Sequence, residues 1–187
     1  WNPANSGLAS PDVFSLAASD SVVYAGTQGG VYASTDHGDS WRSLSTGLSN
    51  VFSLLTTTDA SGAQILLAGT AIGVYSTIDT GTTWSLWENG PPLAVWSLSR
   101  IDTLLFAGTD GGVYRKGLSE DEWNPVNNGL TSLYVTPLIT IDGTLYAGTP
   151  DGIFASTDHG LTWEDIRIGL DYTNILALVA VPSTTGQ

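Results

Sequence analysis

The sequence predicts an all-β chain built from repeated four-stranded antiparallel blades, a β-propeller architecture, on three observations. Trp1, Trp41, Trp84, Trp123 and Trp163 are separated by 40, 43, 39 and 40 residues. The triplet Ala-Gly-Thr recurs at 25–27, 68–70, 107–109 and 147–149, on the same beat. Apolar residues come in short runs broken by Gly, Ser, Thr, Asn and Asp, with no sustained helical period. Four short strands in a unit of about 40 residues is the repeat of a propeller blade.

Each unit opens on a run such as Val-Phe-Ser-Leu (13–16), the first strand, A. A turn leads to strand B, which ends in the Ala-Gly-Thr triplet, and a Gly-containing turn leads to strand C, Gly-Val-Tyr or its equivalent. A boxed turn then returns the chain to strand D, which starts at the tryptophan. The long second interval has a local cause: the A–B connection over residues 56–64 exceeds its counterparts around Asp20, Asp102 and Asp142-Gly143. Complete blades are expected over 13–46, 51–89, 95–128 and 134–168, with partial strands over 1–8 and 169–187. The 187 residues are then a single propeller domain or a segment of a larger one, because a ring must close to hide its sheet edges.

The boxed turns share the pattern S/T-x-D-x-G-x-x-W. Ser34, Asp36, Gly38 and Trp41 carry it first, then Thr77, Asp79, Gly81 and Trp84, then Ser156, Asp158, Gly160 and Trp163. An Asp carboxylate accepts backbone N–H bonds from the residues that follow it in a turn, and glycine tolerates φ > 0. The hydroxyl can bond across the turn, and the indole returns a large ring to pack against it. The third unit departs from the pattern, with Leu118 in place of the Asp and Glu120 in place of the Gly before Trp123.

These turns resemble the Asp-box, or BNR, repeat of β-propellers, and the resemblance covers essentially the whole chain. In that family the box is a structural hairpin at the blade periphery, away from the ligand face. Its members include sialidases, xyloglucan-degrading hydrolases, sortilin-type receptors and photosystem assembly factors, so the resemblance implies the fold far more than the function. The sialidase pattern of three arginines, a Tyr nucleophile and a partnering Glu is not matched. Arg42 and Arg167 fall on outer D strands, and no Arg-Ile-Pro motif is present. The photosystem-assembly branch implies a basic patch, which five Lys plus Arg cannot build.

Chain direction locates the ligand face without the family. In an antiparallel meander the A–B and boxed C–D turns share one face, and the B–C and D–A connections share the other. The candidate binding residues on that second face are Gln28, Asp110 and Asp151 from B–C turns, with Trp87 and Tyr172 from D–A connections. Phe14, Phe52 and Trp96, beside the starts of the A strands, add stacking capacity or blade-to-blade core. His37 and His159 occupy the same turn position on two different blades and are read as turn residues. No metal site, cofactor or catalytic residue is assigned, since no spacing singles out a carboxyl pair of the about 5–9 Å separation that glycoside hydrolysis needs.

Composition narrows the partners. Eighteen Asp plus Glu against five Lys plus Arg give a net charge of −13, which repels nucleic acid and anionic membrane surfaces. No apolar run approaches the roughly 20 residues that span a bilayer. Cysteine is absent, excluding disulfides and thiolate chemistry. An acidic chain rich in Gly, Ser and Thr suits an extracellular or cell-surface prokaryotic protein, any signal peptide lying outside these residues. The function expected is a non-catalytic binding or assembly module for a protein or carbohydrate ligand, with self-association through open blade edges. The alternatives are a fragment of a glycoside hydrolase and a structural subunit of a surface layer or filament.

Overall fold

The structure, a computed structural model, describes residues 3–44, 47–59, 61–167, 169 and 174–179. The described residues form sixteen strands and no helix. Blade 1 consists of β1 (Val13–Ser19), β2 (Val22–Thr27), β3 (Gly30–Ser34) and β4 (Arg42–Ser43). Blade 2 consists of β5 (Val51–Thr58), β6 (Gln64–Thr70), β7 (Gly73–Thr77) and β8 (Ser85–Leu86). Blade 3 consists of β9 (Val95–Ile101), β10 (Leu104–Thr109), β11 (Gly112–Gly117) and β12 (Asn124–Pro125). Blade 4 consists of β13 (Leu138–Ile141), β14 (Thr144–Thr149), β15 (Gly152–Ser156) and β16 (Glu164–Asp165). Each blade is an antiparallel meander in sequence order, so the fold is the propeller that the repeat predicts.

Turn chemistry sets the hairpins. In blades 1, 3 and 4 the A–B turn places Asp20, Asp102 and Asp142 at φ of 50, 50 and 48°, the left-handed region that Asp enters more readily than most residues. Blade 2 closes its longer connection differently. The Asp59 carboxylate accepts the N–H groups of Ser61 (2.8 Å) and Ala63 (2.9 Å).

Every member of the Ala-Gly-Thr triplet has a separate task. Ala25, Ala68, Ala107 and Ala147 are fully buried. The Thr hydroxyl clasps the B–C turn: Thr27 Oγ1 accepts the Gly29 N–H (3.0 Å) and donates to the Gly30 carbonyl (3.0 Å). Thr70, Thr109 and Thr149 make the same two bonds. The Gly leaves room for the next blade. A Cβ on Gly26 would lie 2.8 Å from the Val51 carbonyl oxygen, and one on Gly69 would lie 2.7 Å from Val95 Cγ1. On Gly108 it would lie 3.0 Å from the Val135 carbonyl oxygen.

Inner strands therefore dock in sequence, β1 against β5, β5 against β9 and β9 against β13. Three apolar cores fill the spaces between consecutive blades. Val31, Leu44, Val51 and Leu66 join blades 1 and 2. Leu67, Val74, Val95 and Leu105 join blades 2 and 3. Phe106, Val126, Leu138 and Phe154 join blades 3 and 4. The outer D strands are only two residues long, which leaves little edge for another chain to pair with.

The flanking segments follow the same rules. The Trp41 N–H and Nε1 donate to the carbonyls of Ser6 and Ala4, both at 2.8 Å. Trp163 makes the matching bonds to Asn128 and Val126. Residues 3–7 thus stand where an outer strand of a preceding blade would stand, as the likeness of 1–8 to 123–130 suggests. At the other end Ile175 packs over Gly148 and donates its N–H to the Thr149 carbonyl, the place of a following inner strand.

Because a Cβ at position 69 has no room against the Val95 backbone, Gly69→Ala should lower stability by about 1–3 kcal/mol. Urea unfolding checks this. An unchanged midpoint would mean that the blades separate freely.

Candidate functional site

The boxed turns are closed hydrogen-bond systems. The Ser34 hydroxyl donates to Asp36 Oδ1 (2.7 Å) and accepts the Gly38 N–H (2.8 Å). Asp36 also accepts the backbone N–H of Ser40 (2.9 Å) and its hydroxyl (2.5 Å). Thr77, Asp79, Gly81 and Thr83 repeat this arrangement, as do Ser156, Asp158, Gly160 and Thr162. His37, Thr80 and His159 stand between Asp and Gly at φ of 61, 58 and 60°, so their place in the box is set by backbone curvature. The Trp41, Trp84 and Trp163 indoles reach carbonyls of the preceding outer segment and tie neighbouring blades together.

These donors hold the Asp36, Asp79 and Asp158 carboxyls at a pKa of about 2, down from the ordinary 3.8. The largest cause is the Ser40 hydroxyl for Asp36, the Thr83 backbone N–H for Asp79 and the Thr162 hydroxyl for Asp158. Carboxyls held so firmly ionised are poor proton donors and good turn-formers.

The third box is rebuilt with other residues. The Glu120 carboxylate accepts the Gly117 N–H (3.0 Å), and the Leu118 N–H donates to the Thr103 carbonyl (2.9 Å). Lys116 replaces the box hydroxyl. It is largely buried, with Nζ 4.9 Å from the centroid of the Trp87 ring, while Arg115 donates to the His159 carbonyl (3.2 Å). Both cations of the Arg115-Lys116 pair therefore make contacts within the chain.

Of the predicted binding residues, Gln28, Asp110 and Asp151 stand in the B–C turns of blades 1, 3 and 4, and Trp87 follows β8 of blade 2. Gln28 is exposed in the first B–C turn, and its carbonyl accepts the Asn50 N–H (3.0 Å). Asp110 is exposed in the third B–C turn. Asp151, in the fourth, accepts the Thr131 hydroxyl (2.9 Å). Trp87 faces Trp123 at 6.0 Å between centroids and borders a cavity of about 220 Å³ with Ile72, Leu86, Pro91 and Pro92. None of the other three lines that cavity. Tyr172 lies outside the described residues.

A different set does converge. Phe14, Phe52, Trp96 and Tyr134 form a row across four blades, with centroid separations of 5.6, 4.4 and 5.9 Å. Its outer rings are open to solvent, Phe14 at 48% and Tyr134 at 41% exposure. In the first three blades the strand register skips this residue, so each ring sits on a β-bulge, the irregularity that re-aims a side chain. Beside the rings, Ser15, Ser53 and Ser97 Oγ and Trp96 Nε1 are buried without a hydrogen-bond partner. Buried polar groups in proteins nearly always have one. The row thus sets apolar ring surface beside the B–C turns, while the three serine hydroxyls lie against Gly26, Gly69 and Gly108 within the blade-to-blade packing. Tyr134 escapes sequence reading because it precedes Val135, whereas Trp96 follows Val95; only packing brings their rings together.

No family model matches the chain, and no curated protein matches it in sequence. Solved structures do. The chain resembles the computationally designed Ika4 protein at 19% identity and a TM-score of 0.61, over 81% of this chain and 94% of that one. It resembles an ancestral GH74 enzyme at 22% identity and a TM-score of 0.67, over 89% of this chain and 25% of that one. It also resembles the extracellular domain of BT4673 from B. thetaiotaomicron at 18% identity and a TM-score of 0.73, over 88% and 22%. The chain therefore spans about a quarter of the latter two, and these likenesses describe the fold.

The lowered pKa values fix a pH dependence. Each box carboxyl contributes stability in full above its unfolded pKa near 3.8, and that stability is lost as pH falls toward the folded value near 2. The urea midpoint is expected to drop over this window. The triple variant Asp36→Asn, Asp79→Asn, Asp158→Asn should start lower and lose less of its midpoint on acidification; an identical acid slope would place the linkage elsewhere.

Proposed function

We propose that the chain is a propeller of the Asp-box kind acting as a non-catalytic, extracellular binding module. Its ligand seat is the aromatic row at the starts of the inner strands. The observation that carries this reading is the row itself, with exposed Phe14 and Tyr134 rings at its two ends. Stacking on an aromatic ring combined with a few placed hydrogen-bonding groups is a general means of holding a sugar or a peptide side chain. Gln28, Asp110 and Asp151 on the neighbouring B–C turns supply polar contacts around the seat, and Trp87 with its own cavity supplies a second apolar contact.

Two features support the assignment of this face. The opposite face carries the boxed turns, whose donors and acceptors are engaged with one another. The net charge of −13 favours neutral or cationic ligands over anionic ones. An extracellular setting agrees with the composition and with the resemblance to an extracellular domain.

Screening against arrays of glycans and peptides tests the reading. A ligand found this way should lose at least about fivefold in affinity with Phe14→Ala plus Tyr134→Ala, since each removed ring contact is worth about 0.5–1.5 kcal/mol. Circular dichroism should remain that of the parent. Undiminished binding by that variant moves the seat elsewhere. Polysaccharide hydrolysis that disappears with Asp110→Asn or Asp151→Asn would replace the binding module with a hydrolase.

A further inference from the structure

Blade 2 differs from its neighbours where its inner strand ends, beside the A–B turns. The register makes Ala18, Thr56, Arg100 and Thr140 equivalent, opposite Val23, Leu66, Leu105 and Leu145 of the next strand. Arg100 is the one charged residue of that set. In blades 1, 3 and 4 the ladder closes one position later, at Ser19↔Val22, Ile101↔Leu104 and Ile141↔Thr144. In blade 2 it continues through Thr57↔Ile65 to Thr58↔Gln64. The longer connection of this blade thus adds a rung and carries Thr58 and Gln64 beyond the neighbouring turns.

These strand ends border a cavity of about 300 Å³, lined by Ser19 of blade 1, Thr56, Thr57, Thr58 and Gln64 of blade 2, and Arg100 of blade 3. Strands β1, β5 and β9 stand side by side, so three blades contribute to it. The lining is hydroxyl, amide and guanidinium, without a carboxylate or an aromatic ring. Its hydrogen bonding is incomplete. Arg100 donates through Nη1 to the Thr57 hydroxyl and the Thr58 carbonyl (3.1 Å), and through Nε to the Asp102 carbonyl. Gln64 uses one polar atom of its amide on the Ser19 hydroxyl, and Thr56 donates to the Ala18 carbonyl (3.0 Å). Among the described residues, Arg100 Nη2 and the second polar atom of the Gln64 amide have no partner. The bonds already made hold the guanidinium in place and leave one of its nitrogens for a ligand.

We propose that this cavity binds one ring of a neutral carbohydrate. It is separate from the aromatic row, which lies at the other end of the same inner strands. Each hydroxyl of a sugar ring both donates and accepts, as Ser and Thr hydroxyls do, and adjacent hydroxyls suit a fixed planar guanidinium and an amide. The volume is at the lower end of the about 300–1,000 Å³ found for small-molecule sites, which fits a single ring. Charge selects a neutral ligand. Asp20, Asp59 and Asp102 directly follow β1, β5 and β9 and offset Arg100, and the net charge of −13 opposes an anion further. A cation would meet the guanidinium. A second cavity of about 120 Å³ shares Thr56 and Gln64 and is bordered by Tyr24 and Ile78, which supply apolar surface for a substituent on the ring.

NMR titration of the purified chain with the methyl glycosides of glucose, galactose, mannose and xylose, and with glucuronate as an anionic counterpart, tests the proposal. At least one neutral glycoside is expected to bind in the millimolar range. Gln64→Leu should weaken that binding at least about threefold, and Arg100→Leu at least about tenfold. Gln64 is exposed, so its variant should keep the urea midpoint of the parent and stands as the test if Arg100→Leu loosens the fold. Phe14→Ala plus Tyr134→Ala should leave this binding unchanged, which separates failure of this cavity from failure of the aromatic row. Absence of binding by all four neutral glycosides overturns the proposal. So does binding that survives both Gln64→Leu and Arg100→Leu, or that falls only with the ring variant. Tighter binding of glucuronate than of every neutral glycoside overturns the assignment to a neutral ligand.

Discussion

The approach of one blade to the next depends on the absence of a side chain at Gly26, Gly69, Gly108 and Gly148. Each lies in the second strand of its sheet, where the start of the following inner strand, or Ile175 in the case of Gly148, comes too close for a Cβ. The close approach seals the apolar cores between blades, in which Val51, Val95 and Val135 are fully buried. It also brings the beginnings of the inner strands side by side. The flanking alanine and threonine serve the same end, one by filling little space and the other by closing the turn that leads back outward. A larger residue at the glycine would separate sheets, and with them every feature that spans more than one blade.

The two faces of the array differ because their turns meet different demands. On the boxed face, Asp36, Asp79 and Asp158 must satisfy backbone donors in a tight reversal, and their oxygens are consumed in doing so. The third blade solves the same problem with a Glu reaching back to Gly117, and the Lys116 that replaces the box hydroxyl covers its alkyl stem and charge with the Trp87 ring. On the other face, one Thr hydroxyl closes each B–C turn from within. Side chains on that rim are left free of turn duty, which is why residues such as Gln28 and Asp110 are exposed there.

Bulges link this architecture to the aromatic row. A regular inner strand would alternate between the two sides of its sheet. The extra residue at Phe14, Phe52 and Trp96 interrupts that alternation and sets a ring beside its counterpart on the next blade. The interior rings cover one another, while Phe14 and Tyr134 keep exposed surface. Whether an aromatic at a strand start is core or contact surface thus depends on its place in the row, since identical Val-Phe-Ser-Leu runs begin β1 and β5.

Much of the fold was legible because it repeats. The tryptophan interval, the triplet and the boxed turns report local backbone requirements: a reversal, a left-handed residue, a missing Cβ. Such requirements are short-range and leave their mark at fixed offsets. The long A–B connection of blade 2 and the loss of the third box were visible for the same reason. The face proposed for binding was legible from the direction of the strands. Which side chains meet one another there was not legible, because Gln28, Trp87, Asp110 and Asp151 stand on separate blades and local sequence carries no distance between blades. Tyr134 joins Trp96 through packing across two sheets, and the exposure of Val13 and Leu16 against the burial of their equivalents depends on what stands beside each blade. The sequence by itself therefore determined the blade, its turns and their phase; tertiary structure alone decided which rings meet and which apolar residues remain uncovered, because those are properties of neighbours distant along the chain.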